Sequence, residues 1–332
     1  TRTFREPSRL TVEEWFTVWL NDYMKPSLRA TTWESYKYQV NGHIIPALGR
    51  LKVVELQTAH IQRLYNDKLR GGRLDGKEGG LTPKSVRYIH TVIHSCLEQA
   101  KKEGLLTVSP ADAVRLPKRE QKDIHYLDSD GIKHFLGIAR ESKHFAAFYL
   151  TLNTGLRRGE LLGLRWKDVD FANGQIAVNQ GLVRVTGKGL VFQEPKTKLS
   201  NRVIGLCPAA LSVLREHKKK QAENRLLVGN GYNGGIDLVF ANEIGGPVDP
   251  RAFTRVFERL IKAAGLDVTF HGLRHTFATI ALESGVDIKT IQETLGHHSA
   301  AFTMDVYSSV TGKMKREAAD KVGTLLASLM VK

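Results

Sequence analysis

A charged stretch without hydrophobic periodicity, PKREQKDIH at residues 117–125, divides this sequence of 332 residues into two parts of different pattern. Before it, apolar residues recur every three or four positions, which is typical of amphipathic helices. After it, helical patterns alternate with short runs that are typical of strands. Each part is long enough to bury a core of its own. The sequence therefore predicts a helical domain over residues 1–116, a linker over 117–125 and a mixed α/β domain over 126–332.

Helix-start signals recur through the first domain. Thr11 and Thr31 are each followed three residues later by a glutamate, the spacing of a capping box. A further helix is predicted over residues 58–70, and a glycine-rich loop follows it. Thr82 is followed directly by a proline, which favours the start of another helix at that point. These patterns predict a first domain that consists of helices.

The second domain mixes the two kinds of secondary structure. The runs QIAVNQGLVRV and GLVFQEPKTKLSNRVIGL are typical of short strands joined by turns, with the bends at residues 186–189 and 195–198. Helices are predicted around residues 129–152, 158–166, 208–224, 250–264, 271–284 and 287–295. We therefore expect an α+β, mainly helical fold class: a helical domain followed by a mixed α/β domain with a small antiparallel sheet.

The charge of the chain points to a polyanionic partner. Lys and Arg number 49 against 34 Asp and Glu, a net charge of +15, and residues 1–120 already hold 20 of the basic residues against 13 acidic ones. Since the excess is spread over both domains, a DNA duplex is the expected partner. A basic enzyme of another kind is compatible with the same charge.

Several classes of protein do not fit the sequence. No apolar run approaches the roughly 18 residues that a membrane span needs, and the first ten residues are too polar for a signal peptide. The two cysteines lie far apart, which excludes a disulfide framework and a cysteine zinc site. We therefore expect a cytoplasmic protein, associated with the bacterial nucleoid if it binds DNA.

Four short stretches of the second domain hold residue types that suit chemistry on a phosphate. They are TGLRRGELLGLRWKDVD, EPKTKLSNR, HGLRHTFAT and LGHHSAAFTMDVY. His271 and Arg274 lie one helical turn apart and therefore share a face of their helix. The candidate site residues in these stretches are Arg157, Glu160, Lys196, His271, Arg274, His297 and Tyr307.

Each of these residues has an ordinary structural explanation when it is taken alone. Tyr307 could be a half-buried aromatic residue, and Glu160 could form a plain surface ion pair. His271 and His275 have the spacing of two zinc ligands on a helix, but the glutamate of an H-E-x-x-H motif is absent. The combination of all four stretches in one order is what points to a function.

That order is TGLR followed by Glu, a lysine at a strand turn, H-x-x-R, L-G-H and a tyrosine, and it closely resembles the tyrosine recombinase (integrase) family. The resemblance covers about residues 125–310, and the helical first domain is similar to that family's core-binding domain. The motifs EPKTKxSxR and LGHxSxxFTxxxY are most similar to those of phage and conjugative-transposon integrases. The resemblance implies site-specific recombination that integrates and excises a mobile element.

The resemblance implies that Tyr307 is the nucleophile and forms a 3′-phosphotyrosyl link with DNA. It also implies that Lys196 is the general acid for the departing 5′-oxygen. His271 and His297 would contribute hydrogen bonds and proton transfer, since imidazole titrates near neutral pH.

Negative charge builds on the non-bridging oxygens as the phosphodiester breaks. Arg157 and Arg274 suit these oxygens because a planar guanidinium offers paired donors and stays charged. Glu160, one turn after Arg157, would hold that guanidinium in place. No cofactor and no metal are expected, because the covalent link keeps the energy of the broken ester and no GxxxxGK[ST] loop is present.

Several partners follow from the resemblance. It implies double-stranded DNA, a homotetramer formed on DNA through the C-terminal helix, and an excisionase or a DNA-bending host protein. The apolar stripe of that tail could instead fold back onto its own domain; it comprises Met314, Ala318, Val322, Leu325, Leu326 and Leu329. An N-terminal arm-binding domain, common in this subfamily, is not recognised, and since the chain begins with Thr1 we expect a longer natural chain.

Phosphate contacts of the first domain are predicted at two helix starts. Thr31 and Thr82 would direct hydroxyl and amide groups at the DNA backbone, with Lys84 and Arg87 beside them. A solvated helix end explains the same residues equally well.

Two other functions are compatible with parts of the pattern. A type IB topoisomerase-like enzyme uses similar groups but relaxes supercoils as a monomer, and the apolar C-terminal helix and the LGHH stretch favour the recombinase. A DNA-binding regulator without catalysis would tolerate Tyr307→Phe, whereas a recombinase would keep DNA binding and lose the covalent adduct.

Overall fold

The computed structural model describes residues 9–119, 125–194 and 201–296, together with 319–320, 322–323, 326 and 329. The chain divides into two compact units, Thr1–Lys122 and Asp123–Lys332. Within these described ranges, no helix combines the length and the apolar character that crossing a bilayer requires.

The first unit is built from helices. Helix α1 (Val12–Val18) continues through a π-helical turn (Trp19–Met24) into a short helical segment (Lys25–Ser27). Helix α2 (Ala30–Gln39) continues in the same way through Val40–Ile44 into Ile45–Leu48. The unit is completed by a 3-10 turn (Val53–Glu55), α3 (Thr58–Arg70) and α4 (Pro83–Lys102).

Two of the predicted helix starts are confirmed. Thr11 Oγ1 accepts a hydrogen bond from the Glu14 amide over 3.2 Å, and the Thr11 amide donates to Glu14 Oε2 over 2.8 Å. Thr82 Oγ1 accepts from the Ser85 amide over 3.3 Å. These bonds satisfy amides that have no partner inside their own helix, and each such cap is worth about 1 kcal/mol.

The capping box predicted at Thr31 is wrong. Helix α2 begins at Ala30, and its N-cap is Arg29, which makes no side-chain capping bond. Leu28 and Arg29 both have extended backbones, and the Arg29 carbonyl already accepts from the amides of Thr32 and Trp33. Thr31 therefore lies inside the first turn, two residues after the N-cap position, and cannot cap the helix.

Large side chains fill the core of this first unit. Phe16, Trp19, Tyr65, Ile89 and Ile93 are fully buried. Full burial of an apolar side chain of this size is worth about 2 kcal/mol, so the periodic apolar positions of the sequence account for the packing of these helices.

Between residues 125 and 296, the described part of the second unit holds seven helices and five short strands. The strands are β1 (Val169–Asp170), β2 (Gln175–Val178), β3 (Gly181–Val185), β4 (Gly189–Gln193) and β5 (Arg202–Gly205). The helices are α5 (Ser129–Ala139), α6 (Phe145–Thr154), α7 (Arg158–Leu162), α8 (Pro208–Val228), α9 (Pro250–Ala263), α10 (Phe270–Glu283) and α11 (Ile288–Leu295), with 3-10 turns at Trp166–Asp168 and Gly229–Gly231.

All strand pairs of this unit are antiparallel. Strands β1, β2 and β5 form one sheet in that order, and β3 pairs with β4 in a second sheet. The β3–β4 hairpin closes where the Lys188 amide donates to the Val185 carbonyl over 3.2 Å. Gly187 has φ +73° in this turn, a backbone conformation that favours glycine. Strand β5 begins at Arg202, which pairs with Val178.

One predicted helix, over residues 129–152, is two helices in the structure. Helix α5 ends at Ala139, and the Phe145 amide that begins α6 donates to the Ser142 carbonyl over 2.9 Å. This turn lets α6 lie across the aromatic core, where the rings of Phe148 and Phe253 are 5.3 Å apart. The helix predicted over 158–166 is also shorter, since α7 ends at Leu162.

Candidate active site

Arg157 lies at the N-cap of helix α7, directly after a turn that ends α6. Gly155 forms the turn with φ +62°. The Arg157 amide donates to Glu160 Oε2 over 3.0 Å, and Arg157 Nη1 donates to Glu160 Oε1 over 2.7 Å. About two fifths of the Arg157 side chain is exposed, at 39%. The guanidinium is therefore held on one side by a carboxylate while part of it faces solvent.

Arg274 lies on helix α10 and is only 2% exposed. Its Nη1 donates to the Gly155 carbonyl over 2.7 Å, and its Nη2 donates to the Leu295 carbonyl over 2.6 Å. Main-chain carbonyls orient a guanidinium but carry no net charge. These two bonds therefore fix the plane of the group and leave its positive charge in place.

The C-terminal end of helix α11 gathers three guanidinium groups. Arg202 Nε donates to the Thr294 carbonyl over 2.5 Å, and Arg157 Nη2 donates to the Gly296 carbonyl over 2.9 Å. Arg274 binds the Leu295 carbonyl between them. The last carbonyls of a helix lack partners within it and carry the negative end of the helix dipole, so cations are stabilised there. Residues from three distant stretches of sequence thus meet at one helix end.

Glu160 is the anion of this cluster, and its side chain is 10% exposed. Burial alone would raise the pKa of Glu160, but the hydrogen bond and charge of Arg202 and the charge of Arg157 outweigh it and lower the pKa to about 2. Arg202 Nη2 lies 2.8 Å from Glu160 Oε2. Glu160 is therefore an ionised, enclosed carboxylate between two arginines and not a plain surface ion pair.

His271 is exposed on the first turn of α10, three residues before Arg274. Partial enclosure of its ring and the neighbouring charges of Arg274 and Arg157 lower its pKa. The ring meets that of His275 edge to face, with the centroids 4.9 Å apart, and burial, together with the neighbouring His271 and Arg274, lowers the pKa of His275 to about 4. Both imidazoles are therefore neutral near pH 7, and a neutral ring can donate or accept one hydrogen bond.

Three of the predicted site residues, Lys196, His297 and Tyr307, lie outside the described residues. Their sequence neighbours are described. Strand β4 ends at Gln193, before Lys196, and β5 begins after it at Arg202. In the sequence, His297 directly follows Gly296, whose carbonyl binds Arg157.

Arg202 also belongs to this site, although it was not among the residues predicted from the sequence. This residue is the last letter of the stretch EPKTKLSNR, and its side chain is 7% exposed. It donates to both oxygens of Glu160 and to the Thr294 carbonyl. Strand β5 pairs with one neighbouring strand, β2, and an arginine in such a strand could have been predicted to form a buried ion pair. Nothing in the sequence identifies Glu160 as the partner.

A basic cavity opens beside His271. Its volume is about 570 Å³, and its lining includes Arg158, Arg184 and Arg251. Arg184 pairs with Asp249, the residue that caps helix α9. Three arginines with one aspartate leave this cavity positive, which suits an anionic ligand next to the histidine.

The predicted DNA contacts of the first unit lie on α2 and α4. Lys84 and Thr82 are exposed, and Thr31 is partly buried. Arg87 Nη1 donates to the Pro117 carbonyl over 2.9 Å, so part of its guanidinium already binds the protein itself. A phosphate contact at these residues stays a prediction.

The described residues of the C-terminal tail present an apolar stripe to solvent. Val322, Leu326 and Leu329 are helical, and 57%, 54% and 71% of their surfaces are exposed. Positions four and three residues apart lie on one face of a helix. These three side chains therefore do not pack into the core of their own unit.

Both units match families of known proteins. Residues 125–313 match the model of the phage integrase family, and residues 11–69 match that of the phage integrase N-terminal SAM-like domain. A tyrosine recombinase XerC-like protein of Caldanaerobacter subterraneus subsp. tengcongensis is 27% identical over 95% of this chain and 83% of its own length. The ICEBs1 integrase of Bacillus subtilis is 30% identical over 89% of this chain and 78% of its own length.

Solved structures share the fold. An integrase of the transposon Tn1549, solved with transposon right end DNA, has a TM-score of 0.77 at 23% identity and covers 93% of this chain and 100% of its own. A lambda integrase tetramer bound to a Holliday junction has a TM-score of 0.61 at 22% identity and covers 88% of this chain and 78% of its own. The predicted α+β, mainly helical fold class is confirmed.

Proposed function

This chain belongs to the phage integrase family of tyrosine recombinases, and we propose that it integrates and excises a mobile DNA element through a covalent bond between DNA and Tyr307. The enzyme is a site-specific DNA recombinase of the tyrosine type. Arg157, His271 and Arg274 would contact the scissile phosphate. Lys196 and His297 complete the proposed set.

One observation carries this assignment of residues. Arg157 and Arg274 come from separate motifs, yet their guanidinium groups bind the adjacent carbonyls of Gly296 and Leu295. The residue after Gly296 in the sequence is His297, and Tyr307 follows ten positions later. The two arginines that the chemistry requires therefore sit at the helix end that leads to the proposed nucleophile.

The proposed cleavage step transfers the scissile phosphorus from the DNA 5′-oxygen to Tyr307. The Tyr307 phenol oxygen attacks the scissile phosphorus and releases its proton to the solvent, and the bond from phosphorus to the 5′-oxygen breaks. The departing 5′-oxygen takes a proton from the Lys196 ammonium. A 3′-phosphotyrosyl link and a free 5′-hydroxyl remain, and attack by the 5′-hydroxyl of another strand reverses the step. The phosphotyrosyl ester keeps the energy of the broken DNA ester, so the strand can be rejoined.

Charge is the main contribution of the described residues. Arg157, Arg202 and Arg274 with ionised Glu160 carry three positive charges and one negative charge, a net charge of +2. Preorganised charge of this kind stabilises the oxygens on which charge develops in the transition state. His271, neutral near pH 7, would donate a hydrogen bond to a non-bridging oxygen.

Assembly on DNA would use the C-terminal stripe. The exposed side chains of Val322, Leu326 and Leu329 form an apolar surface that a groove of a second subunit can bury. A lambda integrase tetramer on a Holliday junction has the same fold. We propose the same tetrameric assembly here, with the duplex contacted also by Thr82 and Lys84 of the first unit. An excisionase or a DNA-bending host protein would set the direction of recombination.

The proposal is tested with duplexes whose sequence the protein selects from a randomised pool. A single nick is moved along the selected duplex one nucleotide at a time, so that cleavage beside the nick releases a short fragment and cannot be reversed. Denaturing electrophoresis then detects the covalent complex. We expect an adduct at one nick position on each strand and none with a scrambled duplex.

The other two functions give different results in the same assay. A topoisomerase-like enzyme would relax supercoiled plasmid that lacks the selected sequence, and a regulator without catalysis would bind the duplex without forming an adduct. Either result contradicts the proposal.

A further inference from the structure

Arg202 is bound on three sides by groups of the candidate site. Its Nη1 donates to Glu160 Oε1 over 3.2 Å, its Nη2 donates to Glu160 Oε2 over 2.8 Å, and its Nε donates to the Thr294 carbonyl over 2.5 Å. A paired contact of this kind fixes both the distance and the plane of the two groups. The charge of Arg202 is compensated directly by the paired contact with the ionised Glu160 carboxylate, so we assign Arg202 no contact of its own with a DNA phosphate. Any effect on the reaction must pass through its partners.

Glu160 is the first of these partners. Both of its oxygens are shared, because Oε1 also accepts from Arg157 Nη1 over 2.7 Å and Oε2 also accepts from the Arg157 amide over 3.0 Å. Without Arg202, the enclosed carboxylate would keep only Arg157 as a charged neighbour among these contacts. The position of the Arg157 guanidinium therefore depends on a residue 42 positions away from Glu160 in the sequence.

The end of helix α11 is the second partner. A Cβ atom added at Gly296 would lie 3.1 Å from Arg202 Nη1, which shows how closely the arginine approaches this turn. The carbonyls of Leu295 and Gly296 next to this contact hold Arg274 and Arg157. Arg202 thus ties strand β5 both to the start of α7 and to the end of α11.

We propose that Arg202 is a positioning residue for DNA strand cleavage: it fixes the Glu160 carboxylate and the last turn of α11, and so directs Arg157 at the scissile phosphate. The inference rests on the proposed function. It adds strand β5 to the three helices that carry or bind the proposed phosphate-binding groups, which are α7, α10 and α11.

A second ion pair of the same unit provides a matched control. Arg165 and Asp168 form a capping box three residues apart, as Arg157 and Glu160 do, with Arg165 Nε 2.7 Å from Asp168 Oδ2. The Asp168 side chain is 6% exposed. Loss of Arg165 would leave an enclosed carboxylate at a helical turn that does not include Arg157 or Arg274. It therefore measures the purely structural cost of losing such a partner.

The experiment compares Arg202→Met, Arg202→Lys, Glu160→Gln, the double variant R202M/E160Q and Arg165→Met with the unmodified protein. Single-turnover formation of the covalent adduct is measured with saturating nicked duplex of the selected sequence, over a range of pH, together with duplex affinity and thermal stability. We expect R202M to form the adduct about 10- to 100-fold more slowly, with its affinity for the duplex within about twofold. R202K should recover part of the rate, whereas R165M should keep nearly all of it.

Two further readouts separate positioning from a structural role. The double variant should be about as slow as E160Q alone, because residues that act through one network are not additive. Loss of Arg202 should raise the pKa of Glu160, so the rate of R202M should fall on acidification from a higher pH than that of the unmodified protein. This fall in rate at low pH, the acid limb of the pH profile, should be absent from the double variant, which lacks the carboxylate.

The inference is overturned if R202M cleaves as fast as R165M, or if its effect multiplies with that of E160Q and the acid limb stays in the double variant. If the unmodified protein itself forms no adduct on any nicked duplex, the proposed function falls and the inference falls with it. If the unmodified protein forms the adduct and R202M forms it at the same rate, only the inference is overturned and the proposed function stands.

Discussion

Arg202 Nη2 lies 2.8 Å from Glu160 Oε2, and this contact joins the strand that begins at the last residue of the EPKTKLSNR stretch to the helix that Arg157 caps. The pair is enclosed, with 7% and 10% of the two side chains exposed. Removing Arg202 would leave the enclosed Glu160 carboxylate with Arg157 as the remaining cation of these contacts, which weakens the compensation of its charge. The contact therefore bears on the stability of the second unit as well as on its chemistry.

The first prediction concerns pH and follows from the lowered pKa of Glu160. This carboxyl titrates near 2 in the folded protein and ordinarily at 4.5, so the unfolded chain binds more protons between these values. The stabilisation is complete above about pH 4.5 and is lost as the pH falls towards 2. It amounts to about 3 kcal/mol. Urea unfolding at a series of pH values measures it.

Glu160→Gln is the control for this titration, because the amide cannot ionise. The difference in unfolding free energy between the two proteins should shrink as the pH falls from 4.5 to 2. A difference that stays constant over that window would show that Glu160 is not the titrating group.

A second prediction concerns Arg157, whose guanidinium is partly exposed. Arg157→Lys keeps a positive charge but loses the paired donors that bind Glu160 and the Gly296 carbonyl. We expect adduct formation to slow by about 10²- to 10³-fold, as when one preorganised donor to a developing oxyanion is removed. Affinity for the duplex should change little. An unchanged single-turnover rate would contradict the place of Arg157 at the phosphate.

A third prediction uses two glycines with similar backbones. Gly155 and Gly187 have φ of +62° and +73°, but a Cβ atom at Gly155 would lie 2.5 Å from Leu295 Cδ2, whereas at Gly187 it would meet nothing within 4 Å. Gly187→Ala should cost about 1 kcal/mol for the left-handed backbone alone. Gly155→Ala should cost clearly more and should also slow cleavage, since it displaces Leu295, whose carbonyl holds Arg274. Equal losses of stability in urea would contradict this explanation.

The fourth prediction concerns the C-terminal stripe. Leu326→Asp should leave folding intact, because 54% of the residue is already exposed, and it should abolish the tetramer on DNA if this face docks into a second subunit. Leu227→Asp on helix α8 is the matched control, with 87% of that leucine exposed. Sedimentation of complexes with the selected duplex distinguishes them. A tetramer that survives L326D, or that is lost equally in L227D, would contradict the role of the stripe.

Much of this arrangement could be read from the sequence, because it depends on local patterns. Helix α3 begins and ends where the apolar spacing predicts, and the family signature identified Arg157 and Arg274 before their contacts were known. The order of the motifs carried that information. Each motif alone had an ordinary structural explanation.

Long-range contacts could not be predicted in the same way. Arg202 pairs with a glutamate 42 residues earlier and with a carbonyl 92 residues later, and no periodicity reports such pairing. The helix start at Thr31 was wrong because the extended backbone of Leu28 and Arg29, and not the capping spacing, decides where α2 begins. The sequence thus predicts which groups a site contains better than it predicts what holds them.

The central claim is that Tyr307 forms the bond to DNA. The most direct measurement is digestion of the covalent complex with trypsin and nuclease, followed by mass mapping of the peptide that carries the nucleotide remnant. We predict that the remnant is attached to Tyr307 and that Tyr307→Phe binds the selected duplex with unchanged affinity but forms no adduct. A remnant on any other residue, or an adduct that persists in Y307F, would contradict the account.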